Sequence, residues 1–119
     1  MGALFGLRSI ISQDILGNSS YTIEAKQLFY RNRTIISILG TPIKEHSIKA
    51  LDVKHNFQDN FQAQVYIPVK GTLTSGHIYV HALKNLVTGE WKLDNVSLKS
   101  EDMKRTIYSV LPLDSFPQE

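Results

Sequence analysis

Histidine is the side chain best suited to acid–base or metal chemistry near neutral pH, and this chain carries four: His46, His55, His77 and His81. His77 and His81 have the four-residue spacing that would bring two zinc ligands together on a helix. The residues around them alternate instead: His77, Tyr79 and His81 in one phase, Ile78, Val80 and Ala82 in the other. Alternation means a strand, on which four residues span ~13 Å. That is too far for two imidazoles on one ion with ligand bonds of ~2 Å. No Asp or Glu stands at a complementary spacing, so neither a metal nor any other cofactor is expected.

Nucleophilic chemistry finds no better support. No serine sits in a Gly-x-Ser-x-Gly elbow. Residues 71–76, Gly-Thr-Leu-Thr-Ser-Gly, are bounded by glycines but connect two strands. They therefore lack the helix that makes a phosphate cradle, and a hairpin loop is the expected reading. Glu90 and Asp94 flank Trp91, one in a turn and one at an expected bulge, where solvated roles suit them. Absence of cysteine excludes disulfides, thiolate zinc sites and a thiol nucleophile. Together these readings point to a protein that is not an enzyme.

The elements that position these residues read as two helices followed by strands. Glycine, asparagine and serine at 17–20 break the preceding segment and supply caps. Tyr21, Ala25, Leu28 and Phe29 then form one apolar helical stripe. Asn32 caps a second helix, Arg33–Leu39, which Gly40 and Pro42 end. Beyond Pro42 the period becomes two. A first strand is expected near 48–53 and a turn at 56–60. Phe61, Ala63, Val65, Ile67 and Val69 mark the clearest strand, with Pro68 implying an edge or a bulge at its end. Trp91 and Leu93 share one phase while Val96 and Leu98 share the other, so a bulge is expected at Asp94-Asn95. A last strand falls within 103–111. This order implies an α+β fold, two short N-terminal helices packed on one face of a mostly antiparallel sheet.

At 119 residues the chain is one domain: a short apolar or amphipathic segment at 1–19, the α+β domain at 20–112, and a loose tail at 113–119. Leu4, Leu7, Ile11 and Ile15 fall on one helical face of the first segment, which reads as a lid over the domain. It is far short of the ~20 apolar residues of a membrane span and lacks the order of a secretory signal. The net charge is only +2, with cations scattered among acids, so no nucleic-acid partner is expected.

Several pieces, in this order and spacing, resemble the cytochrome c oxidase assembly factor 1 family. They are the helix around Ala25 and Leu28, Leu39-Gly40-Thr41-Pro42-Ile43, the strand from Ala63 to Gly71, Gly76 to His81, and Trp91 to Leu98. The resemblance covers roughly residues 21–112. It implies a non-enzymatic respiratory-chain assembly factor of the mitochondrial inner membrane, its domain in the intermembrane space. Such factors hold maturation intermediates of cytochrome c oxidase, and the animal branch is also tied to complex I assembly. The family is similar to the presequence-translocase subunit that bridges to the respiratory chain. Its members carry a transmembrane helix before the domain, where this chain shows a short apolar segment. Membrane association would then run through a segment missing here or through partners. The implied partners are respiratory-chain subunits and other assembly factors. The expected contact residues are His77, Tyr79 and His81, on the strand face away from the helices. Competing readings are an import subunit with an acidic presequence groove, and a ligand carrier or enzyme with a cavity between helices and sheet.

Overall fold

The structure, a computed structural model, describes residues 10–112. Three helices precede the strands: α1 (Gln13–Asn18), α2 (Ser20–Arg31) and α3 (Arg33–Leu39). The sequence implied two; α1 is the addition. Ser12 begins it, its Oγ accepting from Ile15 N at 3.2 Å. Its terminal carbonyls are then satisfied by side chains of the next turn, since Ser19 Oγ donates to Ile15 O at 2.6 Å and buried Thr22 Oγ1 to Leu16 O at 2.7 Å. The inward residue of α1 is Leu16, fully buried, whereas Ile15 is more than half exposed. Of the expected lid stripe, Ile11 packs against the core and Ile15 does not; Leu4 and Leu7 lie outside the described residues.

Helices α2 and α3 follow from local rules. Tyr21, Ala25 and Phe29 of the expected stripe are buried and Leu28 is half-buried. Asn32 caps α3 through Oδ1, which accepts from Ile35 N at 3.0 Å. Gly40 ends α3 with φ +79, a conformation that favours glycine.

The strands are β1 (Lys44–Glu45), β2 (Phe57–Gln58), β3 (Gln62–Lys70), β4 (Ser75–Lys84), β5 (Trp91–Lys99) and β6 (Thr106–Leu111). They form one antiparallel sheet in the order β1-β3-β4-β5-β6, with β2 also on β3. Two expectations are corrected here. No strand forms at 48–53; that stretch is turns, from which Ile48 reaches into the core. The expected turn at 56–60 contains β2. A single apolar residue in a loop and a two-residue strand have no period to read.

Strands so short need outside support, and α2 supplies it. Tyr30 Oη and Lys26 Nζ both bond Glu45 of β1, at 2.6 and 3.2 Å, and Tyr21 Oη bonds Gln58 of β2 at 2.6 Å. Between β1 and β2, Asn56 takes over from strand pairing: its Oδ1 accepts from Tyr66 N at 2.7 Å, while its Nδ2 donates to Lys49 O at 3.0 Å. At the opposite edge β6 is interrupted by two register shifts against β5. Bulges and plugs of this kind keep sheet edges from pairing with other chains.

The core lies between the helices and one sheet face. Phe29, Leu16, Ile35 and Leu39 pack there against Val65, Ile78, Val80, Val96 and Leu98, all fully buried. At one corner the β3–β4 hairpin docks on the end of α3. Leu39 O accepts from Leu73 N at 2.8 Å and Thr74 N at 3.2 Å, and Gly40 O accepts from Thr72 N at 3.0 Å. Gly71 makes this approach possible, because a Cβ there would lie 2.0 Å from Leu39 O.

Candidate binding face

Among the described residues, no helix covers the other sheet face. Register fixes its rows: Gln64–His81–Asn95, Tyr66–Tyr79–Ser97 and Pro68–His77–Lys99. All three residues expected to make contacts, His77, Tyr79 and His81, thus stand on this face, but in unequal surroundings. His77 is 9% exposed, while Tyr79 and His81 are half-buried.

His81 is the most tightly oriented. Its Nδ1 lies 2.8 Å from Asp94 Oδ2 and its Nε2 2.8 Å from Gln62 Oε1. Asp94 reaches it because of a bulge. His81 pairs with Asn95 and Ala82 with Leu93, so Asp94 is the extra residue on β5, as the phase change in the sequence implied. The alternation showed the bulge, but nothing in the spacing revealed the His81–Asp94 contact, which joins residues 13 apart across two strands.

Tyr79 forms the centre. Its ring packs 4.9 Å from that of Tyr66, Lys99 Nζ lies 4.8 Å from its centroid, and its Oη donates to Gln64 Oε1 at 3.3 Å. Burial, with smaller contributions from Tyr66 and Asp94, pushes the phenol up to about 12. The hydroxyl is therefore protonated, a hydrogen-bond donor, at any physiological pH.

His77 lies deeper. Its Nδ1 is 3.2 Å from Ser100 O, and a carbonyl can only accept, so Nδ1 carries the proton. Desolvation lowers its pKa below the usual 6.5, outweighing the opposing bond to Ser100. The ring is neutral at pH 7. His77 and His81 are engaged by different partners, and among the described residues no three His, Asp or Glu gather in a way that could hold a metal ion. Trp91 is half-buried, 5.2 Å from Tyr21, on the margin of the core.

Beside His77 the face folds into a cavity of about 310 Å³, between the 46–56 loop and the β5–β6 turn. Tyr66, Lys49, Lys70 and Glu101 are among its lining residues. Sequence reasoning missed it, because its walls are irregular loops brought together only by the fold. It also lies on the face opposite the one where a ligand-carrier reading would put a cavity.

Comparison with known proteins agrees with the motifs. Residues 2–109 match the family model described as cytochrome oxidase complex assembly protein 1. Over 64 residues the chain is 38% identical to the human cytochrome c oxidase assembly factor 1 homolog. That stretch is 54% of this chain and 43% of the relative, so the chain spans less than half the length of the curated protein it matches. No solved structure matches it significantly. Among the described residues no helix is long and apolar enough to cross a membrane. With the family model covering nearly the whole chain, this protein belongs to the cytochrome oxidase complex assembly protein 1 family.

Proposed function

We propose that this protein is a non-catalytic assembly factor that binds maturation intermediates of cytochrome c oxidase at the mitochondrial inner membrane, its domain facing the intermembrane space. The observation that carries the reading is the family match over residues 2–109, supported by the name of the human relative. The fold is compatible with a binding role. One face is closed by helices and both edges are blunted, which leaves the aromatic and polar open face as the contact surface. Tyr79 and His81 are its accessible contact residues, with His77 beneath them. Tyrosine suits such a role, offering a rigid ring and a hydrogen-bonding hydroxyl together.

Affinity purification of the tagged protein from mitochondria tests this. Cytochrome c oxidase subunits and other assembly factors are expected to co-purify, and a Tyr79→Ala, His81→Ala variant to lose them while remaining folded. Co-purification of complex I intermediates would extend the client range. Recovery of import-translocase subunits alone would overturn the reading.

A further inference from the structure

The hairpin joining β4 to β5 turns through residues 85–89, Asn-Leu-Val-Thr-Gly, a stretch without a charge. Leu86 is 67% exposed and Val87 93%. At the base of the hairpin stand two more exposed apolar residues, Leu83 and Phe61, the latter tied there by Lys84 N, which donates to Phe61 O at 2.9 Å. The neighbouring strands do not screen the tip, since β3 begins opposite Leu83 and β6 stops opposite Val96. Single exposed apolar residues are ordinary, whereas a cluster of them marks a site of interaction.

The backbone of the tip is provided for from within. Asn85 Oδ1 accepts from Val87 N at 2.8 Å and Thr88 N at 3.1 Å, and Asn85 O from Gly89 N at 2.7 Å. Thr88 Oγ1 accepts from Glu90 N at 3.2 Å. Of the N–H groups at 86–90, only that of Leu86 has no acceptor among the described residues. Such self-sufficiency is what entry into lipid demands, because hydrocarbon offers no hydrogen bonds in place of water. Directly beneath the tip, Lys84 pairs with Trp91, its Nζ 5.8 Å from the centre of the ring. Lysine and tryptophan are side chains that settle at the boundary between lipid and water. Lys84 and Lys92 stand against Glu90 and Asp94, so lipid charge is not what this end of the sheet selects.

We propose that the β4–β5 tip is a membrane-contact element. Leu86 and Val87 enter the outermost acyl region of a bilayer, with Lys84 and Trp91 at the level of the headgroups. A convex apolar tip suits a lipid surface, where a protein partner would need a pocket to receive it. Two side chains bury less than one acyl chain, so the contact orients the domain rather than anchoring it. This deepens the inner-membrane reading above and rests on it for the nearby bilayer.

Amide NMR of the full chain with phosphatidylcholine bicelles carrying a spin-labelled acyl chain tests it. The amides of 85–89 are expected to broaden at about millimolar lipid, while those of 72–74 stay sharp. The ten residues of β4 separate these two tips by ~33 Å. A Leu86→Ser, Val87→Ser variant is expected to need about tenfold more lipid. Both side chains are exposed, so its spectrum outside the tip should match that of the wild type. No protein partner is present, so failure here leaves the capture of oxidase subunits to its own purification. Absence of broadening at 85–89 would overturn the proposal. So would equal broadening at 72–74, a serine variant that binds as the wild type does, or broadening that appears only when phosphatidylglycerol replaces phosphatidylcholine.

Discussion

The two faces of the sheet are made by the same strands yet are built on opposite terms. On the helix side Val65, Ile78, Val80, Val96 and Leu98, all fully buried, meet Phe29 and Leu39, and position is dictated by volume. On the open side Tyr66, Tyr79, His77 and His81 are held by directed contacts: a carboxylate, an amide, a carbonyl, a cation over a ring. The first arrangement stabilises the domain and is indifferent to what binds it. The second contributes less to stability and fixes the direction of each polar group, which is what recognition of a partner needs.

Substitutions on the two sides can break that contrast. Phe29→Ala on the covered side is expected to cost about 3–5 kcal/mol, a large share of the stability of a domain this size, read by urea denaturation. At the margin of the open side, Asn56→Ala strips the buried Tyr66 N–H of its acceptor and should cost about 1–3 kcal/mol in the same assay. If Asn56→Ala proved harmless, the edge of β3 would be open to solvent and the plug described above would not exist.

The pH dependence follows from His77. Its folded pKa lies below 6.5, so between those two values the unfolded chain binds a proton that the folded chain does not. Stability contributed by the neutral ring is complete above pH 6.5 and declines as pH falls toward the folded pKa. Parallel denaturation series should show this decline in the wild type and a shallower one in His77→Gln. The smallest effect is expected at Asp94, about half exposed where it meets His81. Asp94→Asn should change stability by less than about 1 kcal/mol while weakening partner capture. Equal losses at Asp94 and Phe29 would erase the distinction between the faces.

Much of the fold was legible wherever neighbours in sequence decide the outcome. Asn32 and Gly40 bound α3 by capping, and the phase change between Leu93 and Val96 gave the bulge at Asp94. The α+β class followed from the order of periods. What escaped was decided across the chain. Lys44–Glu45 and Phe57–Gln58 are strands only because β3 and α2 hold them, and Ile48 suggested a strand because it is apolar for the sake of the core. Of the proposed binding face, the shared orientation of His77, Tyr79 and His81 was readable from alternation. The burial of His77 was not, because the loops that cover it carry no periodic signal.

The docking of the β3–β4 hairpin on α3 has a kinetic consequence. Thr72, Leu73 and Thr74 have exposed side chains, the appearance of a freely moving tip, yet their amides donate to Leu39 and Gly40. Those bonds open only if the hairpin and the end of α3 part company. Amide hydrogen exchange at this tip should therefore be slow, following the cooperative opening of the helix layer from the sheet rather than local fraying. A loop that looks like the loosest part of the surface acts as a latch between the two layers.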